Sequence, residues 1–284
     1  MQSRKPEMTI RVHCVVNNEV AASSHLWGEH GLCFFIENGK HSLLFDSGQT
    51  PAVLQHNLQA LGIDVAPVAA IALSHGHNDH TGGLPHLLAC IDHPRVIGSP
   101  HIFEEKFSSR GAKMHTIGIS LSRKHMQNQA DWMPQEELLE IFPGVFITGS
   151  VPRRTDFEHG DAHLLVRHGG QVVSDPIPDD RSLVLQTEKG LVVLLGCCHA
   201  GLINTLYYIR DHFPQPVRAV LGGSHLKPAS TQQLERTIQT LQQEFESVEV
   251  CALNHCTGFD ALAALRQVWG KRVQPFLAGN VLDF

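Results

Sequence analysis

Two hydrophobic periods alternate along the chain, and each change of period marks an element. Ile10–Val16 is rich in β-branched residues and runs into Asn17-Asn18, so a strand and a turn are expected. Leu32–Glu37 and His41–Phe45 flank Asn38-Gly39-Lys40, a hairpin pattern, and the second run stops at Asp46-Ser47-Gly48. Between Pro51 and Leu61 the apolar residues Val53, Leu54, Leu58 and Leu61 recur at helical spacing, and Gly62 stands where a helix C-cap belongs. Val68–Leu73 is continuously apolar, as in a strand buried on both faces. It leads into Ser74-His75-Gly76-His77-Asn78-Asp79-His80-Thr81-Gly82-Gly83-Leu84, after which Pro85–Cys90 reads as a helix and Val96–Ile97 as a strand.

Regularity lapses from about 100 to 160, a stretch expected to form a substrate-site insertion on a single domain spanning 1–284. It returns at Ser182–Gln186 and Leu191–Leu195, a hairpin around Glu188-Lys189-Gly190. A helix over about 202–212 follows Gly196-Cys197-Cys198-His199-Ala200-Gly201. Arg218–Leu221 reads as a buried strand ending in Gly222-Gly223-Ser224-His225. A helix over about 230–245 precedes a strand, Val248–Leu253, that ends in Asn254-His255-Cys256-Thr257-Gly258, and a last helix covers 259–269. Four apolar strands thus end in loops bearing histidine: His75/His77/Asp79/His80, His199, His225 and His255. A rigid sheet fixes such loops, which is why strand ends commonly carry the site.

Composition narrows the partners. Lys and Arg number 22 against 28 Asp and Glu, a formal charge of −6, which excludes gripping nucleic acid by bulk charge. No apolar run approaches the roughly 18 residues of a membrane span. The N-terminal MQSRKPEMTIRVHC has no apolar core of a secretion signal, because Arg11 and His13 interrupt it. Seven cysteines without C-x-x-C spacing are no disulfide framework, and a reducing cytoplasm is the expected location. The 20 histidines matter through their placement. A homo-oligomer is compatible with everything above and required by none of it.

His75-x-His77 offers two imidazoles from one short loop to a single metal ion, while Asp79-His80 offers a carboxylate and a third imidazole suited to a second ion. Nitrogen ligands at about 2.0–2.1 Å with a carboxylate suit zinc, and iron or manganese are compatible. Two ions roughly 3.5–4 Å apart would hold a hydroxide and clamp an oxyanion. A lone H-x-H is more often a solvated turn; here a buried strand precedes the motif and Thr-Gly-Gly follows it.

Ser74–Leu84 together with Leu44-Phe45-Asp46-Ser47-Gly48 resembles the metallo-β-lactamase superfamily. The branch it resembles contains the archaeal dihydropterin-ribofuranosylaminobenzene-phosphate synthase and its bacterial relatives. Glu29-His30-Gly31, Val151-Pro152-Arg153 with Phe157-Glu158, Gly196–Gly201, Gly222–Leu226 and His255-Cys256-Thr257-Gly258 follow in the right order, so the likeness covers essentially residues 8–284. It implies an α/β fold of the αββα type, two mixed β-sheets packed together with helices outside, and a dinuclear site of two divalent ions at the sheet edge. His75 and His77 would bind the first ion; Asp79, His80 and His255 the second. Counting histidines makes His199 the third ligand of the first ion. Counting strands instead places His199 where many relatives have a bridging Asp, with Asp179 or Asp180 at the preceding ligand position.

Other residues have weaker claims. His225 could bind metal, or act catalytically beside Asp79 by donating to a substrate phosphate or carboxylate. Asp46, in the Asp-Ser-Gly turn, is expected to accept from loop backbone or from a ligand imidazole. Glu29 and His30 are placed at the mouth of the site, and Arg153 and Arg154 are candidates for pairing with an anionic substrate. Cys197 and Cys198 read as buried, inert thiols. Ser224-His225-Leu226-Lys227 fits S-x-x-K without its companion motifs, and neither G-x-G-x-x-G nor Walker A occurs. The leading expectation is a metal-dependent hydrolase of a small, anionic ester or phosphodiester. A pterin-related transferase and a non-catalytic metal-binding module are the rivals.

Overall fold

The computed structural model describes residues 9–110 and 113–284. The first eight positions of the N-terminal stretch read for a secretion signal, and Gly111-Ala112 of the expected insertion, lie outside the described residues.

In chain order the elements are β1 (Arg11–Val16), β2 (Cys33–Glu37), β3 (Ser42–Phe45), α1 (Pro51–Leu61), β4 (Ala70–Ala72), the single turn α2 (Asn78–Thr81), α3 (Leu84–Cys90) and β5 (Arg95–Gly98). Next come β6 (Lys106–Arg110), β7 (Lys113–Thr116), α4 (Arg123–Gln129), β8 (Asp131–Pro134), β9 (Leu139–Phe142), β10 (Val145–Ile147), β11 (Leu164–His168) and β12 (Gln171–Ser174). The last part holds β13 (Ser182–Thr187), β14 (Gly190–Leu195), α5 (Leu202–His212), β15 (Val217–Gly223), α6 (Thr231–Glu244), β16 (Val250–Asn254), α7 (Phe259–Trp269) and β17 (Val281–Asp283). Local chemistry sets several boundaries. Thr50 Oγ1 accepts from the Val53 amide at the start of α1, Pro51 occupies the first turn, and Gly62 closes the helix at φ 67°.

Two mixed sheets, ordered β17-β1-β2-β3-β4-β5-β8 and β16-β15-β14-β13-β10-β9, form the body. The period of two decides which side chains meet. On β2, Phe34 and Ile36 point between the sheets and Cys33 and Phe35 point out. On β14, Val192 and Leu194 point in, while Leu191, Val193 and Leu195 pack against α5, α6 and α7. Helices α1, α3 and α4 cover the outer face of the first sheet through Leu54, Leu58, Leu84, Leu87 and Met126. The expected αββα sandwich is the observed one. Truncating a fully enclosed residue between the sheets, such as Phe34 or Leu194, costs about 2–5 kcal/mol.

The irregular stretch resolves into parts of three sheets. β8 extends the first sheet beside β5, β9 and β10 extend the second beside β13, and β6 and β7 join β11 and β12 in a third, antiparallel sheet ordered β12-β11-β6-β7. This sheet takes strands from both sides of residue 160 and stands as a small third sheet beside the expected two. Its outer strands β7 and β12 are exposed throughout, and so lack the buried alternation that reveals a strand in sequence.

The sheets place the site. β3-β4-β5 run parallel, as do β14-β15-β16. In open α/β sheets the crevice beyond the carboxyl ends of parallel strands is where ligands bind. Here Asp46 follows β3, Ser74–His77 lie just beyond β4, His199 follows β14, His225 follows β15 and His255 follows β16. No helix among the described residues is long and apolar enough to cross a membrane.

Candidate metal centre

The histidines of these loops converge into two adjoining groups. In the first, His75 Nε2 lies 2.9 Å from His77 Nδ1 and 3.3 Å from His199 Nε2. In the second, His255 Nε2 lies 3.2 Å from His80 Nε2 and 3.4 Å from Asp79 Oδ2, and His30 Nε2 approaches the same carboxylate oxygen at 3.2 Å. All but His30 are buried. The groups adjoin at His75 and His80, whose ring centroids are 4.3 Å apart.

The rings are held from behind. Asp46, fully buried, accepts from His80 Nδ1 at 2.7 Å and from the Ser74 hydroxyl and amide at 2.7 Å each. A carboxylate only accepts, so the hydrogen sits on His80 Nδ1 and Nε2 is turned to the centre. The Ser74 hydroxyl, having donated to Asp46, faces His75 Nδ1 at 2.8 Å and turns Nε2 of that ring inward as well. Asn18 Oδ1 accepts from His255 Nδ1 at 2.7 Å. Backbone strain collects here too: Asp46, Cys198, His225 and His255 adopt φ of 63°, 60°, 49° and 50°, conformations that cost a non-glycine residue about 1–3 kcal/mol and persist where the surroundings enforce them.

Charge separates the groups. Burial, aided by the neighbouring rings, drives His75 and His199 well below the usual histidine range, and burial brings His77 to about 4. Burial also opposes protonation of His80, but Asp46 and Asp79 more than offset it and hold the ring up at about 9. Burial works against ionisation of Asp79, yet His80, His255 and His30 hold its carboxyl well below the usual carboxylate range.

The donor set fits divalent cations. Among the described residues, His75 Nε2 and His199 Nε2 meet only other ring nitrogens of the first group, and His77 Nε2 is buried with no partner. Three neutral imidazoles sharing one point cannot all be satisfied by one another's protons; a cation satisfies them together. Beside Asp79, His80 and His255 a second cation would replace a proton.

One donor escaped sequence reasoning. Cys197 Sγ lies 3.1 Å from His80 Nε2, and it also falls within metal-ligand range of His199 with His225 and of His255 with Cys256. Burial pushes the Cys197 thiol well above its usual range, in line with the expected buried thiol, while its Sγ faces the ring nitrogens. The available signal was its position between the end of β14 and His199. Cys198 conforms to that expectation, its Sγ turned under α5 toward Thr205 Oγ1 at 3.3 Å.

Other candidates fare differently. His199 stands with His75 and His77, whereas Asp179 and Asp180 hold loop amides and join neither group. His225 packs on His199 with centroids 4.3 Å apart, and neither of its ring nitrogens has a hydrogen-bond partner. Its Nε2 stands 3.6 Å from Asp161 Oδ2, a charge contact rather than a hydrogen bond. Burial disfavours the charged ring, but Asp161 and Cys256 hold it up at about 9. Glu29, expected to face substrate, is occupied at the start of α1: Oε1 accepts from the Gln49 and Thr50 amides and Oε2 from the Thr50 hydroxyl. Arg153 reaches only the Glu158 and Pro176 carbonyls, each at 3.5 Å, and Arg154 pairs with Asp211. Neither arginine meets the histidines.

Comparison with known proteins agrees with this arrangement. The family model of the metallo-β-lactamase superfamily matches residues 26–173. The chain is 29% identical, over 97% of its own length and 97% of the relative's, to the 7,8-dihydropterin-6-methyl-4-(β-D-ribofuranosyl)-aminobenzene-5′-phosphate synthase of Methanocaldococcus jannaschii. It is 30% identical to an uncharacterised protein of the same archaeon, over 87% of this chain and 91% of that one. A crystal structure described as a metal-dependent hydrolase of the β-lactamase superfamily superposes with a TM-score of 0.82 at 26% identity, covering 96% of this chain and 98% of that one. A layered sandwich with histidine loops at one edge, matched in sequence along half its length by the family model and end to end by its relatives, leaves one assignment: the chain belongs to the metallo-β-lactamase superfamily.

Proposed function

We propose that the protein is a dinuclear metal-dependent hydrolase acting on a small anionic ester, phosphodiester or similar substrate. The observation that carries this reading is the convergence of His77 and His199 on His75 Nε2, at 2.9 and 3.3 Å, beside a second group built on Asp79. His75, His77 and His199 would hold one ion; Asp79, His80 and His255 would hold the other, with Cys197 and His30 within reach. Imidazole with thiol and carboxylate favours zinc over harder cations. Bound ions would supply Lewis-acid polarisation and acidify water.

The chain's own groups do the rest. Asp46 and Asn18 fix the ring tautomers of His80 and His255, so that Nε2 of each serves the centre without reorganisation. Asp79 presents a carboxylate, available as a ligand or as a proton acceptor. His225 has ring nitrogens uncommitted to any hydrogen bond, lies against His199, and is positioned to donate to a substrate oxyanion or leaving group. Asp161 supplies the compensating charge.

The test is elemental analysis of purified protein followed by chelation and turnover of phosphodiesters, lactones and thioesters. Close to two transition-metal ions per chain and metal-dependent hydrolysis are expected; folded, untreated protein without metal would overturn the reading. The end-to-end similarity to the synthase supports a second one, condensation of a pterin-type substrate. Product analysis with a pterin pyrophosphate and an aminobenzene-type acceptor separates the two: a condensed product means transfer, and simple hydrolysis means the first reading.

A further inference from the structure

Asp179, Asp180 and Arg181 are consecutive, buried, and joined to the first histidine group without belonging to it. Asp179 Oδ2 accepts from the amide of Gly76, the residue between His75 and His77, at 2.7 Å. Asp180 Oδ2 accepts from the amide of Ala200, the residue after His199, at 2.8 Å. The Arg181 amide donates to the Ser74 carbonyl, the residue before His75, at 2.9 Å. Three successive residues therefore grip the backbone beside all three imidazoles.

The grip is anchored in the third sheet. Asp179 Oδ1 receives Lys106 Nζ at 2.9 Å, and the same ammonium donates to Asp175 Oδ2 at 2.9 Å. Lys106 and Asp179 are fully enclosed. An ammonium there needs both carboxylates, because an unpaired buried charge is strongly destabilising. The Lys106 strand holds the far side of the same loop: the Ile117 amide donates to the Lys106 carbonyl and the Asn78 amide to the Ile117 carbonyl, at 2.9 and 2.7 Å. Gly76 is hemmed in as well, since a Cβ would run into the Ile102 carbonyl. Other residues hold the second group: Asn17 Oδ1 accepts from the His255 amide at 3.1 Å, the Ser47 hydroxyl donates to the His80 carbonyl at 2.9 Å, and the rings are held side chain to side chain by Asp46 and Asn18.

We infer that Asp179 and Asp180, anchored through Lys106, are positioning residues that set the spacing of His75, His77 and His199 and thereby the affinity of the first ion alone. This rests on the two-ion reading above. Ligand loops held by a second rank of hydrogen bonds lose about 10–100-fold in metal affinity when that rank is removed. The expected result for Asp179→Ala and for Asp180→Ala is a loss of that size for one ion only. After dialysis against a competing chelator the variants should keep about one zinc where the wild type keeps about two.

A second measurement needs no metal. Amide hydrogen exchange on the chelated protein should accelerate at Gly76 in Asp179→Ala and at Ala200 in Asp180→Ala, each leaving the other amide near its wild-type rate. If Asp179→Ala does not fold, Asp180→Ala carries the test, because it leaves the Lys106 pair intact. Equal weakening of both ions, or a lower melting temperature with both affinities unchanged, would reduce these residues to staples and overturn the inference. A wild type that binds no zinc would overturn the two-ion reading and this inference with it; a wild type with two ions and unselective variants would overturn this inference alone.

Discussion

The two histidine groups lie side by side yet differ in charge and in the residues that hold them. The first has three imidazoles and no carboxylate at its centre, and burial keeps its rings neutral. Its loops are held at the Gly76 and Ala200 amides by Asp179 and Asp180, and its His75 ring by the Ser74 hydroxyl. The second gathers around Asp79, and its rings are oriented one by one through their own nitrogens. Asp46 and Asp79 also load His80 with a proton. At neutral pH the first group thus offers a cation three unprotonated rings, while the second holds a proton that a cation must displace. Unequal behaviour follows, and each half of the comparison can be broken separately.

The largest effect is expected at Asp79, the only carboxylate at either centre among the described residues. Asp79→Ala removes the charge against which His30, His80 and His255 are arranged. If it acts as a ligand, the second ion is lost, and turnover falls by about 10²–10³, the usual result of deleting one preorganised electrostatic group. Ion content and kcat measured together check this. Unchanged turnover with a single ion would show that the first group suffices.

Asp46→Asn comes next. It leaves the fold's shape but offers His80 Nδ1 an amide in place of a carboxylate. The second ion should bind about 10–100-fold more weakly, with the first unaffected. Calorimetric titration with zinc distinguishes the sites, and equal weakening would mean that Asp46 serves both groups through Ser74.

The proton on His80 gives the comparison a pH signature. Its folded value of about 9 lies above the ordinary 6.5. In metal-free protein the stability drawn from the protonated ring is therefore fully present below about pH 6.5 and lost as pH rises through about 9. Cation binding must expel that proton, so affinity for the second ion should climb by up to about tenfold per pH unit between about 7 and 9. Affinity for the first ion should stay flat over the same range, because burial holds His77 at about 4 and keeps His75 and His199 well below the usual histidine range. Zinc titrations at several pH values decide it; parallel slopes would remove the distinction.

How much of this was legible depended on whether function or packing left a mark in the sequence. The sandwich was visible because Val68–Leu73 and Leu191–Leu195 are apolar on both faces, and a strand between layers has to be. The ligand loops were visible because the strands end where the histidines begin. The third sheet was hidden, since β7 and β12 are exposed at every residue and carry no alternation. Cys197 was hidden because a thiol after an apolar strand looks the same whether it packs or faces a cation. Glu29 misled for a related reason: a carboxylate beside His30 suggests a site, and only coordinates show both its oxygens occupied by Gln49 and Thr50.

Glu29 and Arg153 supply the smallest expected effects, and they test whether anything outside the two groups recognises substrate. Glu29→Ala leaves the Gln49 and Thr50 amides and the Thr50 hydroxyl without their acceptor, a stability cost of about 1–2 kcal/mol visible in denaturant unfolding. KM should hold, because neither oxygen faces the centre. Arg153 touches only two carbonyls at 3.5 Å, the weakest contacts a guanidinium can make. Arg153→Ala should therefore change stability by no more than about 0.5 kcal/mol, as for an ordinary surface substitution. KM for an anionic substrate should likewise stay within about twofold if recognition resides in His225 and the ions. A tenfold rise in KM at constant kcat would instead show uniform binding of the substrate by Arg153, and would place the anion site on the rim between the third sheet and α5 rather than between the two histidine groups.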